Sequence, residues 1–236
     1  SVIPTGVKNI ESIARVKKNV LDASGIMEKD ILSIVSTGYG RNRVKERDRA
    51  VTEITCHAKG IKHVIPETRI LIDIGGQDSK ALLLDPDGNV VDFAMNDKCA
   101  AGTGRFLEAM ARALEVDINA LGNLDLGATS DLVLSSMCTV FAESEVVSLI
   151  AGGTEQKEIA KGLNRAIAAR TNSLVKRVAK NTGGLPVSMS GGVARNRGVV
   201  KAIEESMHLE RINTPDSPDI IGALGAAIIA LEKRKG

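Results

Sequence analysis

Two turns made of paired glycines constrain the fold of this chain more than any other feature. The glycines at 75–76 follow an apolar run at residues 69–74, and those at 191–192 follow a run at residues 187–189. Short apolar runs that end in glycine predict buried strands. Paired glycines let backbone amides approach an anion closely, because no Cβ stands in the way. One such turn is equally typical of a plain strand connection, but two in one chain favour nucleotide binding.

Apolar residues alternate between helical and strand spacing along the chain, which predicts an α/β or α+β architecture. Helices are predicted at 10–23, 51–62, 103–114, 140–150, 156–180, 196–207 and 220–233, and strands at 31–37, 69–74, 80–84, 90–94, 187–189 and 209–213. The Pro-Asp-Gly turn at residues 85–88 predicts a hairpin between the third and fourth of these strands.

The composition excludes several classes of function. The 31 basic and 29 acidic residues leave a net charge of +2, which favours neither nucleic acid nor an anionic membrane as a partner. With one Tyr, three Phe and no Trp, stacking on single-stranded bases is not expected. No apolar run reaches the roughly 18 residues of a transmembrane helix, and Ser1 opens into polar sequence without a secretory signal. We therefore expect a cytoplasmic protein with no nucleic-acid partner and no membrane partner.

The motif at residues 72–80 is the first candidate site. A predicted strand delivers Asp73, two glycines follow, and polar residues lead into the next strand. A carboxylate at a strand end suits hydrated Mg²⁺, which keeps several waters and takes only one or two carboxylates. The alternative is a plain hairpin turn without a ligand.

The motif at residues 188–196 has a similar design, with a helix in place of the second strand. A helix N-terminus behind a glycine turn can hold phosphate or pack against a nucleobase or ribose. Alone, this motif would indicate only a strand-to-helix connection. Together, the two motifs predict a nucleotide site.

Three cysteines in a chain without an export signal argue against a disulfide framework. Cys99 and Cys138 each precede a predicted helix, whose N-terminus favours the thiolate. The sequence has no CxxC or Cys/His cluster of a zinc site. An iron–sulfur cube needs about four thiolates, so two per chain would serve one cluster only in a dimer. The alternative is two small buried residues, and Cys56, inside a predicted helix, has only that interpretation.

The three histidines, His57, His63 and His208, stand in no catalytic or metal-binding pattern. We interpret them as surface or helix-filling residues. Glu143 and Glu145 are most simply acidic residues at the start of a solvated helix, where the helix dipole favours them.

Four motifs, at residues 73–78, 96–106, 138–145 and 191–196, together closely resemble one family. That family is the activator component of 2-hydroxyacyl-CoA dehydratases, which also includes the ATPase subunits of benzoyl-CoA reductases. The similarity runs from Thr37 to Ala227, and the two cysteine motifs are long and specific. The glycine motifs alone would indicate only the wider superfamily.

The resemblance implies an acetate-and-sugar-kinase/Hsc70/actin-like fold, in which two α/β domains close around ATP and Mg²⁺. Residues 1–66 would be the remainder of a first domain, and residues 67–236 a second domain whose last helix returns to the hinge. Family members begin with a strand and an Asp-x-Gly-Ser-Thr loop, and nothing like that loop occurs before Ile10. By this comparison the first strands are missing and a sheet edge is left exposed.

The resemblance also implies roles for single residues. Asp73 and Gln77 would be catalytic, with Asp73 orienting Mg²⁺ or the attacking water. The residues that would bind the nucleotide are Gly75, Gly76, Asp78, Ser79, Lys80, Gly191, Gly192, Val193 and Asn196. Cys99 and Cys138 would be the ligands of one [4Fe–4S] cluster shared by a homodimer.

The implied function is that of an ATP-dependent activator. It would pass a low-potential electron from the cluster to a 2-hydroxyacyl-CoA dehydratase or a related CoA-ester reductase. A ferredoxin or flavodoxin would supply the electron, and ATP and ADP would be the nucleotides. The alternatives are an amino-sugar kinase of the same superfamily, which would carry no cluster, and a nucleotide-sensing module of a larger reductase.

Overall fold

The front of the chain forms two helices and a short strand pair. The computed structural model describes residues 1–6, 9–134, 138–180 and 182–232. Helix α1 (Asn9–Ser24) is followed by the parallel pair of β1 (Val35–Ser36) and β2 (Arg49–Ala50), and then by α2 (Glu53–Val64). Thr52 caps the start of α2, because its hydroxyl accepts a hydrogen bond from the amide of Thr55.

A mixed four-stranded sheet follows. Its strands are β3 (Ile70–Ile74), β4 (Ser79–Leu84), β5 (Val90–Asn96) and β6 (Val187–Ser190), in the spatial order β5-β4-β3-β6. Strand β4 runs antiparallel to both of its neighbours, and β6 runs parallel to β3. The predicted hairpin at residues 85–88 is confirmed, with the amide of Gly88 donating to the carbonyl of Asp85.

The other helices lie around this sheet. They are α3 (Gly104–Ala113), α4 (Ile118–Leu121), α5 (Thr139–Ala151), α6 (Gln156–Val178), α7 (Arg197–Met207) and α8 (Ile221–Glu232). Among the residues that the structure describes, no helix combines the length and the apolar character needed to cross a membrane.

Helices cover the sheet on both faces, and all five residues of β3 are buried. Leu71 and Leu82 pack on one face against Ile61 of α2 and Ile221 of α8. The alternate residues of β3 face a larger core that includes α3, α6 and α7. Each fully buried aliphatic side chain contributes about 1.5–3 kcal/mol. This packing crosses the predicted border between residues 1–66 and 67–236, and that division stays a prediction.

The strand predicted at 209–213 is wrong. In the described structure this segment forms only one isolated bridge, between Asn213 and Ser188. The amide of Ile212 donates instead to the carboxylate of Glu204, at 2.8 Å. A local side-chain acceptor has replaced the strand ladder, which the apolar spacing alone does not reveal.

The strand predicted at 31–37 is shorter than expected for a similar reason. The carboxylate of Asp48 accepts from the amide of Ile34 at 2.7 Å, and only β1 pairs with a neighbour. The other predicted elements agree with the structure to within two residues at each end. Lys233, the predicted end of the last helix, lies outside the described residues.

Helices α2 and α8 cross with their backbones in direct contact. A Cβ added at Gly225 would lie 1.7 Å from the carbonyl oxygen of Cys56, and one added at Gly60 would lie 2.1 Å from that of Ile221. Backbone atoms cannot move aside as a flexible side chain does. Glycine is therefore required at this crossing for space.

We expect Gly225→Ala to destabilise the protein by about 1–3 kcal/mol or more, because the added methyl overpacks the crossing of α2 and α8. In most helix interiors alanine is more stabilising than glycine by roughly 1 kcal/mol, so the effect expected here has the opposite sign. The control is Gly40→Ala, where a Cβ would meet no described atom within 4 Å. Urea unfolding measures both variants, and equal stabilities would contradict the packing argument.

Candidate functional site

The register of the strands places three polar residues side by side at the centre of the candidate site. Asp73 on β3 lies opposite Lys80 on β4 and opposite Ser190 on β6. Paired residues on neighbouring strands point to the same face, so the three polar side chains form one row across the sheet. The row lies near the ends of the strands, beside both glycine turns.

Donors surround the buried carboxylate of Asp73. The hydroxyl of Ser190 donates to Oδ1 at 2.8 Å, and Nδ1 of His57 lies 3.2 Å from the same oxygen. Lys80 donates to Oδ2 from Nζ at 3.3 Å. Because donors meet both oxygens, the carboxylate is held in one orientation.

Lys80 is only 1% exposed, and three carboxylates compensate its charge. Its Nζ lies 2.7 Å from Asp78, 3.3 Å from Asp73 and 3.6 Å from Glu53. Burial acts to lower the pKa of this ammonium, but the three carboxylates outweigh it and raise the pKa above its ordinary value. In this conformation Lys80, predicted to bind nucleotide, is occupied by ion pairs.

The front segment also reaches the site. The hydroxyl of Tyr39 donates to Oδ2 of Asp78 at 3.0 Å. Partial desolvation, followed by this hydrogen bond, raises the pKa of Tyr39 to about 12. Tyr39 therefore stays protonated at neutral pH and acts as a donor to Asp78.

Glu53 and His57 of α2 were not predicted as site residues, and the interpretation of His57 as a surface or filling residue is wrong. Their four-residue spacing places them on one face of the helix, and that face meets Lys80 and Asp73. This four-residue spacing was the feature of the sequence that could have indicated the two residues as part of the site. Only tertiary packing reveals which face of α2 meets the sheet.

The first glycine turn rests on the start of α3. The carbonyls of Gly75 and Gly76 accept from the amides of Gly104 and Arg105, both at 2.9 Å. A Cβ at Gly104 would lie 3.2 Å from the Cα of Gly76, which is a close approach. The turn is thus fixed by main-chain hydrogen bonds that do not depend on side chains.

The remaining predicted residues of this turn differ in exposure. Gly76 and Gln77 are exposed, Gly75 is half-buried, and Ser79 is a half-buried residue at the start of β4. The open side of the turn therefore consists mainly of backbone and the Gln77 side chain, which leaves room for an anionic ligand.

The second glycine turn lies against the first strand. Gly191 has φ +86°, and a Cβ there would lie 2.2 Å from the carbonyl oxygen of Ile74. Gly192 is exposed, and a Cβ there would meet no described atom within 4 Å. Since β3 and β6 are parallel, both turns follow the carboxyl ends of adjacent strands, where open α/β sheets bind ligands.

Unlike the exposed Gly192, Val193 and Asn196 face the interior of the protein. Val193 is buried, and Asn196 caps α7 by accepting from the amide of Val199 at 3.0 Å. Nδ2 of Asn196 is buried and has no partner among the described residues. Gly192 is therefore the open member of the four residues predicted for the second loop.

The three cysteines occupy different surroundings. Cys56 is fully buried, and burial raises the pKa of its thiol, as expected for a core residue. Cys138 is exposed and is the N-cap residue of α5. Cys99 is half-buried.

The helix predicted to follow Cys99 is confirmed, and Cys99 lies in the segment that precedes it. Helix α3 begins at Gly104 after Thr103, and its first two amides donate to the glycine turn. The N-terminus of α3 is therefore directed to the candidate nucleotide loop. Within the described ranges, no group of three or more His, Cys, Asp or Glu residues could hold a metal ion.

Side chains of α6 form hydrogen bonds with residues 128–130, which precede Cys138 in the chain. The carboxylate of Glu158 accepts from the amides of Thr129 and Ser130, at 3.0 and 2.8 Å. Hydrogen bonds from Ser130 and the amide of Thr129 lower the pKa of Glu158 from 4.5 to about 2. Lys161 adds a hydrogen bond to the carbonyl of Ala128 at 3.2 Å.

Replacing Lys80 by Met is expected to lower the free energy of unfolding by about 3–5 kcal/mol, because it leaves buried carboxylates without a counter-charge. Lys59→Met is the matched control, since Lys59 forms an exposed pair with Glu232 at 3.1 Å and such pairs contribute about 1 kcal/mol or less. Chemical unfolding at neutral pH compares the two. Similar losses in both variants would refute a central role for the Lys80 ion pairs.

Glu158→Gln should destabilise the protein at neutral pH and lose that effect in acid. The folded-state pKa is depressed, so the stabilisation is present above 4.5 and disappears as the pH falls from 4.5 toward about 2. Unfolding curves of wild type and variant, recorded between neutral and acidic pH, should converge. Glu155→Gln, at the exposed N-cap of the same helix, should track the wild type. If the stability difference between wild type and Glu158→Gln did not change with pH, the charged carboxylate of Glu158 would not be the stabilising group.

Comparison with known proteins gives a consistent result. The model of the BadF/BadG/BcrA/BcrD ATPase family matches residues 3–230. The 2-hydroxyisocaproyl-CoA dehydratase activator of Clostridioides difficile is 45% identical over 222 residues, which cover 94% of this chain and 82% of that protein.

Solved structures agree with this match. The structure of the Clostridium difficile activator with bound ADPNP has a TM-score of 0.89 and 44% identity, covering 98% of this chain and 83% of that one. The structure of component A of (R)-2-hydroxyglutaryl-CoA dehydratase from Acidaminococcus fermentans has a TM-score of 0.91 and 41% identity, covering 100% of this chain and 88% of that one.

Proposed function

Because the chain belongs to the BadF/BadG/BcrA/BcrD ATPase family, we propose that it is an ATP-driven electron-transfer activator of a 2-hydroxyacyl-CoA dehydratase or a related CoA-ester reductase. The family resemblance and the actin-like fold predicted from the sequence are confirmed. The same family match confirms the assignment as an ATPase. The nature of the partner rests on the names of the relatives.

The observation that best supports a nucleotide site is that the two glycine turns lie next to each other beside Asp73. Phosphates approach the open backbone at Gly76 and Gly192. Asp73 orients hydrated Mg²⁺ or the attacking water, in the role that the resemblance implies, and the exposed Gln77 assists it. The residues proposed to bind ATP and ADP are Gly75, Gly76, Asp78, Ser79, Lys80, Gly191, Gly192, Val193 and Asn196.

Cys99 and Cys138 are the proposed ligands of a [4Fe–4S] cluster. Both thiols are free of disulfides, and thiolate sulfur is the ligand that such clusters take. When bound, the cluster supplies one-electron chemistry at low potential. Two ligands per chain require a homodimer that places four thiols at its interface. The exposed position of Cys138 at the start of α5 supports a ligand shared between two chains.

Coupling between the two sites follows from the contact of the first glycine turn with α3. A nucleotide that moves Gly75 or Gly76 also moves the start of α3, because main-chain hydrogen bonds join them. The segment that carries Cys99 immediately precedes this helix. Nucleotide and dehydratase influence each other to the extent that both favour the same conformation. A ferredoxin or flavodoxin is the proposed electron donor.

The test is iron and sulfide content of anaerobically purified protein. We expect about four irons per two chains, and loss of the cluster in Cys99→Ala and in Cys138→Ala. Cys56→Ala is the matched control and should retain iron, because that thiol is buried in the core.

Iron-free protein after reconstitution would overturn the cluster, and a retained cluster in Cys138→Ala would overturn the ligand assignment. ATP hydrolysis is measured on the same samples, with and without hexosamine. Phosphorylation of hexosamine by iron-free protein would favour an amino-sugar kinase. Nucleotide binding without hydrolysis would favour a sensing module.

A further inference from the structure

His57 makes two contacts at the centre of the site through one ring nitrogen. Its Nδ1 lies 3.2 Å from Oδ1 of Asp73 and 3.2 Å from Oγ of Ser190. The hydroxyl hydrogen of Ser190 is already directed to Asp73, at 2.8 Å. Both neighbours of Nδ1 are therefore acceptors, and the contacts are favourable when Nδ1 carries the proton.

The imidazole has little freedom to leave this position. Its side chain is 15% exposed. On the side away from Asp73, a Cβ at Gly222 of α8 would lie 2.7 Å from Nε2. The ring thus fits between the backbone of α8 and the carboxylate, in a space that only a glycine on α8 provides.

We propose that His57 is a positioning residue for Asp73. Its Nδ1–H lies against Oδ1 and against the hydroxyl of Ser190, which itself donates to Oδ1, while Oδ2 faces Lys80. Without this donor, Ser190 alone restrains Oδ1, and the charge of Lys80 draws the carboxylate out of its orientation. The inference rests on the proposed function in one respect, namely that Asp73 serves ATP hydrolysis.

The contact also joins two parts of the fold. His57 belongs to α2, which crosses α8 through backbone contacts, and Asp73 belongs to the central sheet. A change in the position of the α2–α8 pair therefore reaches the candidate catalytic carboxylate through one side chain. Glu53, one turn earlier on α2, makes the corresponding contact with Lys80 at 3.6 Å.

The kinetic test compares His57→Leu with His57→Asn. Leucine removes the donor, whereas the amide nitrogen of asparagine can replace Nδ1. We expect His57→Leu to reduce kcat for ATP hydrolysis by about 10- to 100-fold with little change in KM, as a misplaced catalytic group does. His57→Asn should recover most of the rate. The control is His63→Asn, at an exposed position on the same helix.

Two kinetic results would overturn the inference. One is a folded His57→Leu with wild-type kcat, and the other is a His57→Asn as slow as His57→Leu. Either result leaves the proposed function standing, because the wild type still hydrolyses ATP.

A spectroscopic test addresses the hydrogen bond separately from activity. Nitrogen-15 NMR of labelled histidine identifies which ring nitrogen carries the proton. We expect a proton on Nδ1 of His57, with a resonance that shifts in Asp73→Asn and not in Lys59→Met. An unprotonated Nδ1 would overturn the inference even if ATP is hydrolysed. A protonated, Asp73-sensitive Nδ1 in a chain without ATPase activity would support the contact and refute the proposed function.

Discussion

The buried ammonium of Lys80 is the interaction on which the rest of the candidate site depends. It compensates Asp73 of the sheet, Asp78 of the turn before β4 and Glu53 of α2, and Asp78 in turn accepts from Tyr39. Three carboxylates in a buried space would repel one another without a cation between them. One side chain therefore joins the front segment, helix α2 and two strands at the point where the glycine turns begin.

The two glycine turns depend on strand direction. Because β3 and β6 are parallel neighbours, the turns after them meet at one edge of the sheet, and Gly191 can approach the carbonyl of Ile74 only without a Cβ. The first turn then bonds to the amides that open α3. The same backbone segment thus borders the open edge of the candidate nucleotide site and the helix that follows Cys99. This arrangement gives the proposed coupling of nucleotide and cluster a structural basis within one chain.

Much of the fold and part of the site could be predicted. The glycine pairs, Asp73 and the apolar spacing located β3, β4 and β6, since these features are local in the chain. The contributions of Glu53 and His57 were missed, because amphipathic spacing does not say which helix face meets a given strand. The strand at 209–213 was wrong for another reason. The carboxylate of Glu204 accepts the hydrogen bond from the amide of Ile212, so this amide does not join a strand ladder.

The sequence by itself determined the family, the order of the elements and the chemistry available at the glycine turns, because these are written in short contiguous motifs. Only the tertiary structure decided which donors surround Asp73, that Lys80 is occupied by three carboxylates, and that α3 points its first amides at the candidate nucleotide loop. Those contacts join residues far apart in the chain. Their formation depends on strand register and on the crossing of α2 and α8, which the packing of the whole core fixes.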